Sequence, residues 1–296
     1  MRAWAGVAFL SILVGAGVRT VEDGAGRSVT VPADPLRIVS LAPSVTEILF
    51  AVGAGDRVVG ITDFCEPPEG APGTARIGGL INPDLERIVS LRPDLVIAST
   101  SGNYRDDVER IERLGIPVYT IHTPSVSAAL ETLEATAALV GLPENGARLA
   151  GSLRGRIEAV EARSRMRSRP RTLFIIEPDP LIAPSGGTFL GEALRIAGAD
   201  LVTADAKAAW AQYDLEAIIE MKPEVILVPE AHRAWAREAV DLPRWRSVPA
   251  IALEQIFVVS DSIQHPGPRL VDGIEEVAGI LERLEKDRGA QETPRR

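Results

Sequence analysis

The chain has 296 residues, 46% hydrophobic and 25% charged, enough length and apolar content for two domains of ordinary size. Its formal net charge of -9 provides no basic field for phosphate backbones or anionic lipid, so nucleic acid is not an expected partner. Cys65 is the only cysteine, which rules out an internal disulfide and a thiolate cluster for zinc or iron–sulfur binding.

After Arg2 an apolar run continues through Val18, the pattern of a secretory signal, and residues 1–20 are expected to direct export. No cysteine follows it, so the expectation is a periplasmic or extracytoplasmic protein that is not a lipoprotein. From Arg37, β-rich runs alternate with helical patterns: Arg37 to Leu41 as strand, Ser44 to Val52 as helix, Val58 to Ile61 as strand. That is the rhythm of parallel α/β units. Ser44-Val45-Thr46-Glu47 reads as a capping box, which starts the helix at Ser44. Asn82 and Pro83 read as the cap and first residue of the next helix, followed by Arg92-Pro93-Asp94 and the strand Leu95 to Ala98.

The same order then recurs. Tyr213-Asp214-Leu215-Glu216 leads to Lys222-Pro223-Glu224 and the strand Val225 to Val228, displaced by about 130 residues. Glu47 to Gly53 is echoed by Glu192 to Gly198, and Ile116-Pro117-Val118 by Val248-Pro249-Ala250. A period this long indicates two copies of one domain instead of a solenoid. Between the copies, residues 141–169 carry helical spacing through Leu149, Leu153, Ile157 and Val160, and read as one connecting helix ended by Pro170. The predicted fold is α/β: two similar lobes with parallel-type sheets flanked by helices, spanning 36–140 and 170–290, joined by one long helix. An amphipathic helix near Val271 to Leu284 closes the second lobe, and residues 291–296 read as a frayed tail.

These features resemble the helical-backbone class of binding proteins that serve ABC importers of vitamin B12, ferric siderophores and haem. The likeness covers roughly residues 36 to 285. It rests on Ile38 to Ser44, Gly78-Gly79 through Asn82-Pro83-Asp84-Leu85-Glu86, Pro93 to Val96, Leu114 to Pro117, and Pro266 to Arg269, in that order. Asp63-Phe64-Cys65-Glu66-Pro67-Pro68 and Ser101-Gly102-Asn103 bring it nearest to the vitamin B12 binding proteins. Trp210 falls where those proteins place an aromatic against the corrin ring. Leu80 and Ser99 stand where the best-known members carry tryptophans, so the N-terminal wall is less aromatic. The resemblance implies a class III periplasmic binding protein that hands a small-molecule ligand to the membrane permease subunits of an ABC importer; a monomer without a cofactor is the default expectation. It favours a corrinoid over a ferric siderophore or haem.

Two lobes on one stiff helix leave a cleft, and ligands prefer such interfaces and the C-terminal ends of parallel strands. The loops expected to line it supply Phe64, Cys65, Gly79, Leu80, Gly102, Asn103, His122, Ser185, Gly186, Trp210 and His265. A lone cysteine such as Cys65 reads first as inert packing, with a pocket-lining thiol as the alternative. His122, His232 and His265 are far apart and show no helix-face pairing, so no protein-held metal is expected. An anionic siderophore would call for arginines at the mouth, with Arg105 and Arg269 as candidates. Glu86 and Glu216 occupy equivalent positions near two helix N-termini, beside stripes formed by Leu85, Ile88, Val89 and by Leu215, Ile218, Ile219. The resemblance implies that each presents a carboxylate to importer arginines. Catalysis is not expected: there is no dinucleotide fingerprint, Walker motif or nucleophile elbow.

Overall fold

The computed structural model describes residues 17–68, 71 and 73–292. An antiparallel hairpin of β1 (Val18–Glu22) and β2 (Ser28–Pro32) comes first. The first lobe follows with β3 (Ile38–Ser40), α1 (Pro43–Ala51), β4 (Val58–Ile61), β5 (Ala75–Arg76), α2 (Leu85–Ser90), β6 (Leu95–Ser99), α3 (Arg105–Arg113), β7 (Val118–Ile121) and α4 (Val126–Leu139). The connecting helix is α5 (Pro143–Ser164). The second lobe contains β8 (Arg171–Phe174), β9 (Glu177–Pro178), β10 (Leu181–Pro184), α6 (Phe189–Ala197), β11 (Asp200–Leu201), β12 (Trp210–Gln212) and α7 (Leu215–Met221). It ends with β13 (Val225–Pro229), α8 (Arg233–Ala239), α9 (Pro249–Ala252), β14 (Ile256–Val259) and α10 (Leu270–Glu292). Parallel sheets of order β5-β4-β3-β6-β7 and β11-β8-β13-β14 form the lobes, and an antiparallel sheet β12-β10-β9 is added to the second.

Strands β6 and β13 are buried throughout, as near-continuous apolar runs in parallel sheets should be. Alternation along them separates two environments. Leu95, Ile97, Val225 and Leu227 enter one core that also contains residues of α1, α4, α5, α6 and α10. Val96 and Ala98 face outward with Ile88 and Ile111, and Ile226 and Val228 with Ile218 and Trp245. Each short helix α2 and α7 is anchored by one fully buried isoleucine, Ile88 or Ile218, a burial worth roughly 1.5 to 3 kcal/mol.

The repeat is visible in the backbone. Asp84 and Asp214 cap α2 and α7 by accepting from the N–H groups of Arg87 and Ala217. Arg92 and Lys222, each before a proline, share φ 48°. Gly53 (φ 92°) and Gly198 (φ 102°) end α1 and α6 in the left-handed region, where glycine carries no Cβ penalty.

Several sequence expectations shift. Helix α1 begins at Pro43 with Ala42 at the cap and no side-chain cap bond, so Ser44 to Glu47 is not a capping box. Proline at the first helical position supplies the required φ, and Ser44 is buried. The next cap is Asp84 and not Asn82, because Gly78 bridges Pro83 and the Asp84 N–H is committed to the Ile77 carbonyl. Val89 lies outside its predicted stripe, 44% exposed. The echo of Ile116-Pro117 in Val248-Pro249 fails: the first opens strand β7, the second opens helix α9. The connecting helix ends at Ser164, and Gln291 and Glu292, read as tail, continue α10. Strand β1 includes Val18 to Thr20, the end of the predicted export signal, while residues 1–16 and 293–296 lie outside the described structure.

Arg156 of α5 ties the connecting helix to α10 through Glu275 (3.0 and 2.6 Å) and Asp272 (2.6 Å). Its hydrogen bond holds the Glu275 carboxyl below the usual range, against the opposing effect of partial burial. Because these groups are more than a third exposed, the network is worth about 1 kcal/mol or less. A depressed carboxyl contributes stability above its ordinary range that is lost as pH falls through the lowered value. Arg156→Ala should therefore lower the urea midpoint at neutral pH and match the parent in strong acid; an equal deficit at both would place its role in packing.

Candidate functional site

The loops that leave the C-terminal ends of the parallel strands meet between the lobes. Thr100 and Ser101 after β6, His122 to Pro124 after β7, Ile176 after β8, Trp210 on β12, and Gln264 and Pro266 beyond β14 enclose about 520 Å³. Gln264 also borders a second cavity of about 790 Å³, lined on one lobe by Phe64 and Leu80 and on the other by Ala231, Ser260 and His265. Both volumes are in the range of small-molecule sites.

Trp210 is set by the antiparallel pairing of β12 with β10, where it opposes Pro184. Its ring packs edge-on against Phe189, with centroids 6.3 Å apart at 70°, and it stays 47% exposed. Phe189 itself is buried at the first turn of α6, behind Thr188, whose hydroxyl caps that helix. His122 Nδ1 lies 2.8 Å from Thr100 Oγ1 across β6 and β7, which fixes the exposed ring. Among the described residues, the smaller cavity has no carboxylate, lysine or arginine in its lining. The larger is acidic: Asp63, Glu66, Glu230, Asp261 and Glu276 face Arg233 and Arg269. Arg233 is bonded to Glu230, whose carboxyl it holds below the usual range, and Arg269 lies 3.9 Å from Glu47.

Of the nominated residues, His122 and Trp210 line the smaller cavity, and Phe64, Leu80 and His265 the larger. Others take structural places. Cys65 is 1% exposed, and its sulfur lies 3.1 Å from the hydroxyls of Thr46 and Thr62, so it packs internally and does not line a cavity. Asn103 spends its amide internally: Oδ1 accepts from the Ser99 N–H, and Nδ2 donates to the Leu41 and Leu80 carbonyls, each at 2.8 or 2.9 Å. Ser185 is buried. Gly186 is pressed on Ala204, whose carbonyl oxygen a Cβ would meet at 3.0 Å. Gly79 sits where a Cβ would strike Asn82 Oδ1 at 2.3 Å, and Gly102 packs over Leu80. Arg105 pairs with Glu109 and lines neither cavity. Glu86 and Glu216 are exposed in the first turns of α2 and α7. Sequence reading missed Thr188 and Phe189, although Gly-Gly-Thr after a strand is a legible helix start, and Gln264, which carries no signal; Pro266 reads as part of the family motif but not as a wall residue. Among the described residues, no group of three or more His, Cys, Asp or Glu side chains is placed to hold a metal, and no helix is long and apolar enough to cross a membrane.

Comparison with known proteins gives consistent results. A family model described as periplasmic binding protein matches residues 38–262. The chain is 31% identical over 267 residues, 88% of this chain and 84% of the relative, to the uncharacterized ABC transporter substrate-binding lipoprotein YvrC of Bacillus subtilis. Its backbone is similar to the periplasmic vitamin B12 binding protein BtuF of Vibrio cholerae, with TM-score 0.73 and 25% identity, covering 88% of this chain and 100% of that one. It is also similar to the periplasmic haem-binding protein RhuT from Roseiflexus sp. RS-1, with TM-score 0.75 and 27% identity, covering 82% and 97%. The lipoprotein relative overturns the expectation that a lipid anchor is excluded, while the extracytoplasmic location is supported.

Asn103→Ala should cost about 1 to 3 kcal/mol of unfolding free energy, since it unties three bonds that hold the cleft-lining turn. Chemical denaturation checks this, and parent-like stability would show that the turn holds itself.

Proposed function

Because this chain belongs to the periplasmic binding protein family, whose model matches residues 38–262, we propose that it captures cobalamin or a related corrinoid between its lobes and delivers it to an ABC importer. The fold is that of the class III periplasmic binding proteins, and the relatives are transport proteins, not enzymes. The observation that carries the ligand is Trp210, half exposed on an uncharged wall and braced by Phe189. A flat macrocycle loses most apolar area to water when such a ring covers it. The likeness to BtuF supports the same choice.

Haem is the second reading, favoured by the likeness to RhuT and by exposed His122 as an axial ligand. The acidic larger cavity opposes it, because carboxylates on a ligand would meet Asp63, Glu66 and Asp261 while Arg233 is already committed. The same charge argument weighs against anionic siderophores.

Calorimetric titration with cyanocobalamin, haemin and a ferric hydroxamate separates these readings. Saturable one-to-one cobalamin binding, weakened about tenfold or more by Trp210→Ala, is the expected result. Tight binding of haemin or the ferric complex alone would transfer the carrier role to that ligand.

Delivery is assigned to Glu86 and Glu216. Helices α2 and α7 lead into the parallel strands β6 and β13, so their N-termini lie toward the strands' C-terminal ends, the side on which the cleft opens. One exposed carboxylate per lobe on that side suits a pair of arginines on two permease subunits, with charge-assisted bonds setting register. Ordinary compensation of the helix dipole is the alternative for each, and the matching positions in the two lobes favour docking. Glu86→Ala combined with Glu216→Ala should leave ligand affinity unchanged and abolish uptake in cells; normal uptake would remove the docking role.

A further inference from the structure

The echo between Glu47 to Gly53 and Glu192 to Gly198 places two glutamates six positions before the glycines that end α1 and α6, and neither is used in the function above. Both side chains leave their own lobe. Glu192 Oε2 accepts from the backbone N–H of Val126 at 2.7 Å, the first residue of α4 in the first lobe. Glu47 Oε1 lies 3.0 Å from His265 Nδ1 and 3.9 Å from Arg269 Nη1, in the segment that leads into α10 of the second lobe. Helices α4 and α10 are themselves counterparts, each following the last strand of its sheet. Each lobe therefore sends one carboxylate to the start of the other lobe's last helix.

We infer that Glu47 and Glu192 are paired positioning residues that latch the lobes together and set the width of the cleft. The location supports this. His265 stands between Gln264 and Pro266, and Val126 two residues beyond Pro124, all three neighbours being wall residues of the smaller cavity. Glu192 itself follows the wall segment Thr188 to Leu190. Moving either latch moves a wall. The chemistry also suits a latch. Glu192 sits on a helix N-terminus, where the dipole favours a carboxylate, and Glu47, its side chain only 9% exposed, makes a charge-assisted contact. Gly267 completes the second latch, since a Cβ there would come 3.0 Å from Glu47 Oε2 and 3.4 Å from the Ser44 carbonyl oxygen. A methyl group at this position would press first on the Glu47 carboxylate.

The consequence for ligand capture rests on the reading of the cleft as the binding site, so the test has one arm that needs no ligand. Spin labels on the full chain, introduced through Asp106→Cys and Arg237→Cys on exposed faces of the two lobes, report the inter-lobe distance by pulsed electron resonance; native Cys65 is buried. The labelled parent should give one narrow distribution. Glu47→Ala with Glu192→Ala should shift or broaden it by more than about 2 Å, the scale of a domain rearrangement. Glu192→Gln, whose amide oxygen still accepts from Val126, should restore the parent distribution in the single-site comparison with Glu192→Ala. Gly267→Ala, which leaves both carboxylates in place, should also broaden it, and it serves if the double variant does not fold. A parent-like distribution in Glu192→Ala and in Gly267→Ala would overturn the latch. In the second arm, the dissociation rate of cyanocobalamin should rise about tenfold in the double variant. Absence of cobalamin binding to the parent would sink the ligand assignment and leave the distance result standing.

Discussion

Leu95 and Ile97 of β6 are buried in the same apolar core as Val225 and Leu227 of β13, although the two strands belong to different sheets. The layer between the sheets is helical: α1 and α4 from one lobe, α6 and α10 from the other, and α5 connecting them. Because one face of each sheet can be covered only by this shared layer, neither lobe is a closed domain in isolation. Large hinge motion would have to shear close-packed helices, and dense interiors resist that. A carrier built this way meets its ligand with a cleft already formed, and pays little to order it on binding.

The cleft follows from the same arrangement. Both sheets have parallel strands that end toward the gap, so every loop leaving a strand is delivered to one place, and the chain needs no special motif to build a pocket there. What distinguishes the pocket is which side chains those loops carry. Here one compartment is neutral and faced by Trp210, and the adjoining one carries five carboxylates against two committed arginines. The acidity is local and not a by-product of the overall charge of -9, since the neutral compartment sits beside it.

Architecture was legible because it is written in periodicity and in duplicated segments: fully apolar strands, the long strandless stretch, and the offset that relates Asp84 to Asp214. Local chemistry was less legible, for reasons that can be named. Asn82 and Pro83 have the right types for a helix start, but a bridge to Gly78 takes Pro83 and leaves the cap to Asp84. Cys65 and Asn103 lie in loops that do reach the cleft, yet a sulfur between two threonine hydroxyls and an amide with three backbone partners are turned inward. Whether a loop residue faces the ligand or braces the loop depends on contacts with segments distant in sequence, and spacing does not carry that information. Glu47 shows the same limit from the other side: its sequence neighbours suggested a cap, while its partners are more than 200 positions away.

Duplication also indicates how to divide structural from ligand-specific residues. Where the two copies agree in backbone, as at Gly53 and Gly198 or at Arg92 and Lys222, the agreement reflects a conformation both lobes need. They also agree in an exposed side chain at Glu86 and Glu216, each in the first turn of its helix. Where they differ, the two lobes present different side chains to the cleft. The offset of about 130 residues that pairs the caps also pairs Leu80 with Trp210, and both stand on the cleft, one in each lobe. Each borders a different one of the two adjoining cavities, so the aromatic wall belongs to the neutral compartment and the aliphatic one to the acidic compartment.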